Sequence, residues 1–192
     1  MPNIHFERIE AAADTLLDIA RRAVIDVVRT GEAPVPEDLP GESPLSLLAG
    51  VFVTLLTGQD LRGCIGVPEA TLPMARAVWI AAQRAAVEDP RFPPVEPGEL
   101  GDLIVAVSVL TPAEEVADPA DIIMGRDGVI FEYGGRRALY LPEVATETGW
   151  GVEEFLSNLA LKAGLHPGSW TRPEACLWSF QTVRCSGPLI AP

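Results

Sequence analysis

Between Ile9 and Val28 the apolar residues Ile9, Ala12, Ala13, Leu16, Leu17, Ala20, Val24, Val27 and Val28 recur at three- and four-residue steps. Asp14, Asp18, Arg21, Arg22 and Asp26 fall between them, which is the pattern of an amphipathic helix. Gly31 supplies a stop, and Pro34, Pro36, Pro40 and Pro44 then forbid helix and central strand, so residues 31–46 read as a Pro-rich loop or linker. Gly50 to Thr57 and Leu61 to Ile65, flanking the turn signal Gly58-Gln59-Asp60, predict a β-hairpin. Leu72 to Val87 has helical periodicity, with Pro73 tolerable in the first turn, and ends before Asp89-Pro90. The β-branched run Leu103 to Leu110 predicts a buried strand. A second hairpin is expected from Gly128 to Tyr133 and Arg136 to Leu141 across Gly134-Gly135. Pro142 to Thr148 starts a short helix, Val152 to Ala163 is a clearer one closed by Gly164, and Ala175 to Val183 reads as a last strand.

Helices and strands intermix, and two adjacent hairpins favour antiparallel pairing over repeated βαβ units. The expected class is therefore α+β, an antiparallel sheet with flanking helices. The whole chain, 1–192, is read as one domain. No GxGxxG or GxxxxGK[ST] loop opens a helix, and nothing else in the sequence calls for a cofactor.

Charge narrows the partners. With 14 Lys+Arg against 27 Asp+Glu the net charge is −13, which repels phosphate backbones and anionic lipid surfaces. Nucleic acid and membranes are not expected as partners, and no apolar run approaches the ~20 residues of a membrane span. Cys64, Cys176 and Cys185 form no CxxC pair, and His5 and His166 lie far apart, so no metal site is expected. An odd cysteine count and a polar N-terminus point to a reducing, cytoplasmic setting.

The chemistry concentrates in Leu61-Arg62-Gly63-Cys64-Ile65-Gly66, where two glycines flank a cysteine inside a strand-like segment. Glycine there marks a bulge or a close approach to the backbone. Period-two alternation sends Arg62 and Cys64 to one face. A three-residue turn puts Thr54 opposite Cys64 and Leu56 opposite Arg62; a two-residue turn at Gly58-Gln59 shifts these partners to Val53 and Leu55. The first arrangement is preferred, since it sets the Thr54 hydroxyl beside the sulfur. In the functional reading Arg62 lowers the thiol pKa and orients an anionic ligand, while Cys64 is nucleophile or contact. In the structural reading Cys64 is a small buried hydrophobe and Arg62 pairs with a surface carboxylate. The functional reading requires sulfur and guanidinium to share one solvent-reachable concavity.

His166 is a candidate base for Cys64, although its place after a helix end gives it no visible reason to approach. Cys176 and Cys185, on one strand, would stand ~30 Å apart, with Cys176 in the core and Cys185 exposed. In Arg91-Phe92-Pro93-Pro94 the prolines can hold Arg91 and Phe92 rigidly for recognition; alternatively Phe92 plugs the core and Arg91 pairs with Glu88 or Asp89. Glu132, Glu143 and Glu147 read as solvated surface charges.

Leu61-Arg62-Gly63-Cys64-Ile65-Gly66, with Val51-Phe52-Val53-Thr54 before it, resembles the signature of the AMMECR domain family. The likeness continues through Glu88-Asp89-Pro90-Arg91-Phe92-Pro93-Pro94, Val107-Ser108-Val109-Leu110-Thr111, Tyr140-Leu141-Pro142-Glu143-Val144-Ala145 and Gly149-Trp150. In length it is similar to the prokaryotic branch called AmmeMemoRadiSam system protein A. The resemblance implies a compact two-lobed α+β domain with the Arg62/Cys64 segment lining a cleft. It also implies association with a Memo-like protein and a radical SAM enzyme, while the family has no securely assigned reaction.

Two functions are thus carried forward. One is an accessory enzyme or substrate-binding component of a modification pathway, holding a small anionic or acyl-bearing group at Cys64 with Thr54, Arg62, Gly63, Gly66, Arg91 and Phe92 around it. The other is a non-catalytic adaptor that docks those protein partners through the same segment and the Pro-rich loop, with a thiol-independent small-molecule carrier as a third reading.

Overall fold

The computed structural model describes residues 4–190, with side chains from Phe6 onward, so the His5 imidazole lies outside the described residues. The helices are α1 (Ile4–Glu10), α2 (Ala13–Thr30), α3 (Met74–Val87), α4 (Pro142–Thr148) and α5 (Val152–Lys162). The strands are β1 (Val51–Thr57), β2 (Asp60–Val67), β3 (Leu103–Leu110), β4 (Glu114–Glu115), β5 (Gly128–Tyr133), β6 (Arg136–Tyr140), β7 (Cys176–Phe180) and β8 (Thr182–Pro188). Mixed helices and antiparallel sheets give the α+β class expected from the pattern.

The chain divides into two compact units. The first comprises residues up to Leu110 together with the segment from Val183 onward; the second is Thr111–Thr182. The first is built on a sheet of order β2-β1-β3-β8, with α2 and α3 packed on one face. Alternation explains the layering. Val51, Val53 and Leu55 pair in register with Val109, Val107 and Val105, all at most 1% exposed, while Phe52, Thr54 and Leu56 point to the other face and are half-buried. Ala77, Val78, Ala81, Ala82 and Ala85 supply the small contact stripe of α3, which lets the helix approach the strands closely.

The second unit carries the sheet β4-β7-β5-β6 against α4 and α5, around Val129, Phe131, Phe155, Leu156 and Leu159. Its hairpin turns through Gly134 and Gly135 at φ 57° and 73°, the paired positive dihedrals of a type I′ turn.

Four sequence expectations change. The single helix from Ile9 to Val28 is two, because the chain turns at Ala11-Ala12, where Ala12 sits at φ −98°, ψ 0° with no side-chain cap. Periodicity hid the break because Ile9 and Ala12 bury the same stripe that α2 continues. The loop of residues 31–46 holds no regular element, as its prolines require, and α3 begins only after Pro73, whose ψ of 137° is extended. The last strand is also two. At Gln181 the chain leaves the second unit's sheet, and Thr111 and Gln181 mark the crossing with bonds from Thr111 N–H to the Gln181 carbonyl and from Gln181 N–H to Thr111 Oγ1, both 2.9 Å.

Cys176 and Cys185 therefore belong to different sheets, and their expected environments are exchanged. Cys176 is exposed, whereas Cys185 packs on the first unit's core with its Sγ 3.4 Å from the Ala13 carbonyl, and burial pushes its thiol pKa up. The two-residue β4 was not foreseen, being two glutamates too short to carry a period. Among the described residues, no helix is long and apolar enough to cross a membrane.

Gly63 sits where α3 meets β2, and a Cβ added there would fall 2.1 Å from the Ala85 carbonyl oxygen. We expect Gly63→Ala to lower stability by about 2 kcal/mol or more through forced separation of helix and strand. Gly98→Ala, with nothing within 4 Å of its added carbon, should be near neutral in the same urea titration. Equal midpoints for the two variants would refute this account of Gly63.

Candidate functional site

The register of the first hairpin decides what surrounds Cys64. The turn is the two-residue one, Gly58-Gln59, with Thr57 facing Asp60 and Gly58 at φ 63°. That register alone would put Val53 opposite Cys64. Instead, Leu56 pairs with Leu61 and Leu55 with Gly63, so Arg62 is the extra residue of a β-bulge. The bulge shifts the register by one and restores Thr54 to the position opposite Cys64. Thr54 Oγ1 lies 3.3 Å from the half-buried Cys64 Sγ, as the sequence reading preferred but by a different route; Leu56 does not face Arg62.

Both glycines of the motif serve packing. Gly63 admits the Ala85 carbonyl, and Gly66 lies under the ring of its cross-strand partner Phe52, whose Cε1 would be 2.3 Å from an added Cβ. No side chain could occupy either place without displacing protein atoms.

β2 is an edge strand, and the N–H and C=O of Cys64 turn away from β1. The segment following α3 meets them. Asp89 Oδ2 accepts the Cys64 N–H at 2.8 Å and Arg91 Nη2 at 2.7 Å, while Oδ1 accepts the Arg91 N–H at 3.1 Å and Nε at 2.9 Å. Arg91 Nη2 also donates to the Cys64 carbonyl at 3.1 Å. The Asp89 side chain is 2% exposed, yet that of Arg91 is 54% exposed, so the guanidinium is gripped along one edge and open along the other. The Arg91 side-chain bonds hold the Asp89 carboxyl far below the usual carboxylate range, with the Cys64 and Arg91 N–H groups adding to the effect against the cost of burial. Asp89 in turn raises Arg91 by hydrogen bonding and charge, against the cost of burial. The guanidinium cation thus sits 5.6 Å above the ring of half-buried Phe92 and against the backbone of Cys64.

Arg62 is used otherwise. Its Nε and Nη2 bind Glu99 Oε1 and Oε2 at 2.7 and 3.0 Å, and Nη1 and Nη2 donate to the carbonyls of Pro93 and Pro94 at 3.0 and 3.3 Å. Glu99 raises the Arg62 pKa, and that pairing lowers Glu99. Glu99 Oε2 also closes a capping box by accepting the Glu96 N–H at 2.7 Å. Arg62 is thereby a fastener for the loop of residues 90–94, and the cation bonded to the Cys64 backbone is Arg91. Glu99 is the residue that sequence reasoning missed; Asp89 entered it as one of two partners weighed for Arg91, and that pairing forms, with the added bond to the Cys64 N–H unforeseen. A signal existed for Asp89, since Asp before Pro favours a turn in which the carboxylate accepts the N–H two residues on.

His166 serves locally in the second unit, where its Nδ1 accepts the Gly168 N–H at 3.2 Å and caps the short turn Pro167–Thr171. Of the carboxylates expected at the surface, Glu147 is exposed and Glu132 and Glu143 are half-buried.

Asp89→Asn preserves shape but sets an amide N–H₂ against donors, so it should cost about 2–4 kcal/mol at neutral pH in urea unfolding. The sign with pH follows from the depressed carboxyl. Its contribution is complete above the ordinary Asp value of ~3.9 and is lost as pH falls through the lower folded value, so the gap between wild type and variant narrows below about pH 4. A gap unchanged down to about pH 2 would show that charge contributes nothing there.

A sequence profile described as AMMECR1 matches residues 17–185 of this chain. A protein of Methanothermobacter thermautotrophicus is 49% identical over 174 residues, covering 87% of this chain and 90% of its own. One from Methanocaldococcus jannaschii is 44% identical over 168 residues, covering 83% of each. The crystal structure of an uncharacterized protein from Pyrococcus horikoshii superposes with a TM-score of 0.81 at 41% identity, across 91% of this chain and 90% of that one. Agreement of profile, sequence and fold over the same span, with the Cys64 hairpin inside it, means that this chain belongs to the AMMECR1 family.

Proposed function

We propose that the Cys64 segment holds a small anionic or acyl-bearing group, with Arg91 binding its negative charge and Cys64 as the nucleophile or contact atom. The observation that carries this is the Arg91 guanidinium, gripped on one edge by buried Asp89, more than half exposed, and bonded to the Cys64 backbone carbonyl. Such a cation is positioned before any ligand arrives, so little ordering entropy is lost on binding. Thr54 Oγ1 can donate to the sulfur, and Phe92 offers a ring face beside the cation. Gly63, Gly66 and Arg62 take supporting parts in this reading, shaping the strand and the loop rather than touching the ligand.

In this proposal the chain is an accessory enzyme or substrate-binding component of the AmmeMemoRadiSam type, working with a Memo-like protein and a radical SAM enzyme. That assignment rests on the family resemblance, not on the geometry. The adaptor reading draws support from the Arg62 bonds to Glu99 and to the Pro93 and Pro94 carbonyls, which stiffen a loop that could dock a partner. The readings separate cleanly: an adaptor keeps partner binding in Cys64→Ser and loses it in Phe92→Ala.

Alkylation followed residue by residue in a mass spectrometer tests the site. Anionic iodoacetate should modify Cys64 at least as fast as neutral iodoacetamide. Arg91→Gln should lower that rate ratio by roughly 3- to 10-fold, the effect of about 1 kcal/mol from one cation a few ångströms away in a partly screened setting. Arg62→Gln should leave the ratio unchanged while lowering the melting temperature. A Cys64 inert to both reagents, or a ratio that ignores Arg91, would remove the proposed site.

A further inference from the structure

A concavity of about 400 Å³ opens between the segment Val35–Ser46 and the first turn of α3. Its size falls in the ~300–1,000 Å³ range of small-molecule sites. Val35, Leu39 and three prolines, Pro36, Pro40 and Pro73, make half of its lining. Into this apolar setting the protein places two opposite charges, Glu37 and Arg76. Neither has a hydrogen bond, ion pair or ring contact among the described residues, and they do not pair with each other.

The walls are held before any ligand enters. Trp79 Nε1 donates to the Ala33 carbonyl at 3.0 Å, and Arg22 pairs with Asp38 at 3.3 Å. The Met74 N–H reaches the Leu47 carbonyl at 2.8 Å, and that of Ala75 reaches Leu45 at 3.2 Å. Proline fixes φ along the rest of the loop. A loop tied in this way loses little freedom when it binds.

Charge decides what fits. A plain anion drawn to Arg76 would meet Glu37, a plain cation would meet Arg76, and an uncharged apolar ligand would strip water from both without replacing it. A ligand with both charges and an aliphatic body satisfies all of the surface. We propose that this concavity binds an amphoteric aliphatic ligand, an α-amino acid or short peptide, with its carboxylate on Arg76, its ammonium on Glu37 and its side chain against the prolines. This site is independent of the reading given for Cys64.

Calorimetric titration of the full chain tests it, with leucine and leucyl-leucine as probes and N-acetylleucine and leucinamide as one-charge controls. The zwitterions should bind roughly 10-fold or more tightly than either control, an ordinary consequence of losing one paired charge. The tighter of the two zwitterions identifies the size of the natural ligand. Glu37→Gln should abolish the preference over N-acetylleucine only, and Arg76→Gln the preference over leucinamide only. Both side chains are exposed and unpartnered, so neither variant should unfold the chain, and unchanged alkylation of Cys64 in each would confirm that. No heat at about 10 mM of either zwitterion, equal binding of all four probes, or variants that leave the ranking intact would overturn the proposal.

Discussion

The buried carboxylate of Asp89 is the constraint on which the rest of the first unit's chemistry turns. An ionised group withdrawn from water costs several kcal/mol unless donors replace its hydration. Here four N–H donors do so, one from Cys64 and three from Arg91. Meeting that requirement brings three pieces of chain together. The end of α3 is drawn to the edge of β2, the Cys64 N–H and C=O on that edge are taken up, and a guanidinium is fixed at the Cys64 backbone. Stability and candidate chemistry therefore share one interaction.

The glycines and the arginine of the signature act one level below this. Gly63 allows the Ala85 carbonyl to approach, Gly66 lies beneath Phe52, and Arg62 bulges from the strand to secure Glu99 and the carbonyls of Pro93 and Pro94. The short motif is conspicuous because an edge strand must at once bend, touch a helix and receive a loop. Cys64 within it is half-buried, and its side chain bonds Thr54 rather than the loop.

Charge follows the same economy. In a chain of net charge −13, the cations of the first unit are mostly paired with carboxylates: Arg62 with Glu99, Arg91 with Asp89, Arg22 with Asp38. Arg91 stands apart because its partner Asp89 is almost fully buried while its own side chain is half open, and Arg76 because it lines a concavity with no partner among the described residues. Those two departures locate the two sites proposed for this protein.

Local periodicity by itself determined the elements. The stripe from Ile9 to Val28, the alternating Val51 to Leu55 and the β-branched Leu103 to Leu110 each bury a face whose spacing is set by the helix or strand repeat, so they could be read without a partner in view. The Pro-rich loop, the Gly134-Gly135 turn and the α+β class were legible for the same reason, and the ordered run of motifs identified the family. Tertiary structure decided the rest. The break at Ala11-Ala12 and the division of the last strand at Gln181 leave the apolar pattern intact and depend on which surface each half covers. The identity of the cation at Cys64 depended on one bulged residue, because a shift of one position in a strand reverses which side chains face each other. Asp89 and Arg91 lie well beyond Cys64 in sequence, and no local period records that a carboxylate after α3 will find the open edge of β2. Hydrogen-bond satisfaction in a buried place is a property of the assembled chain, and it selected Arg91 over Arg62.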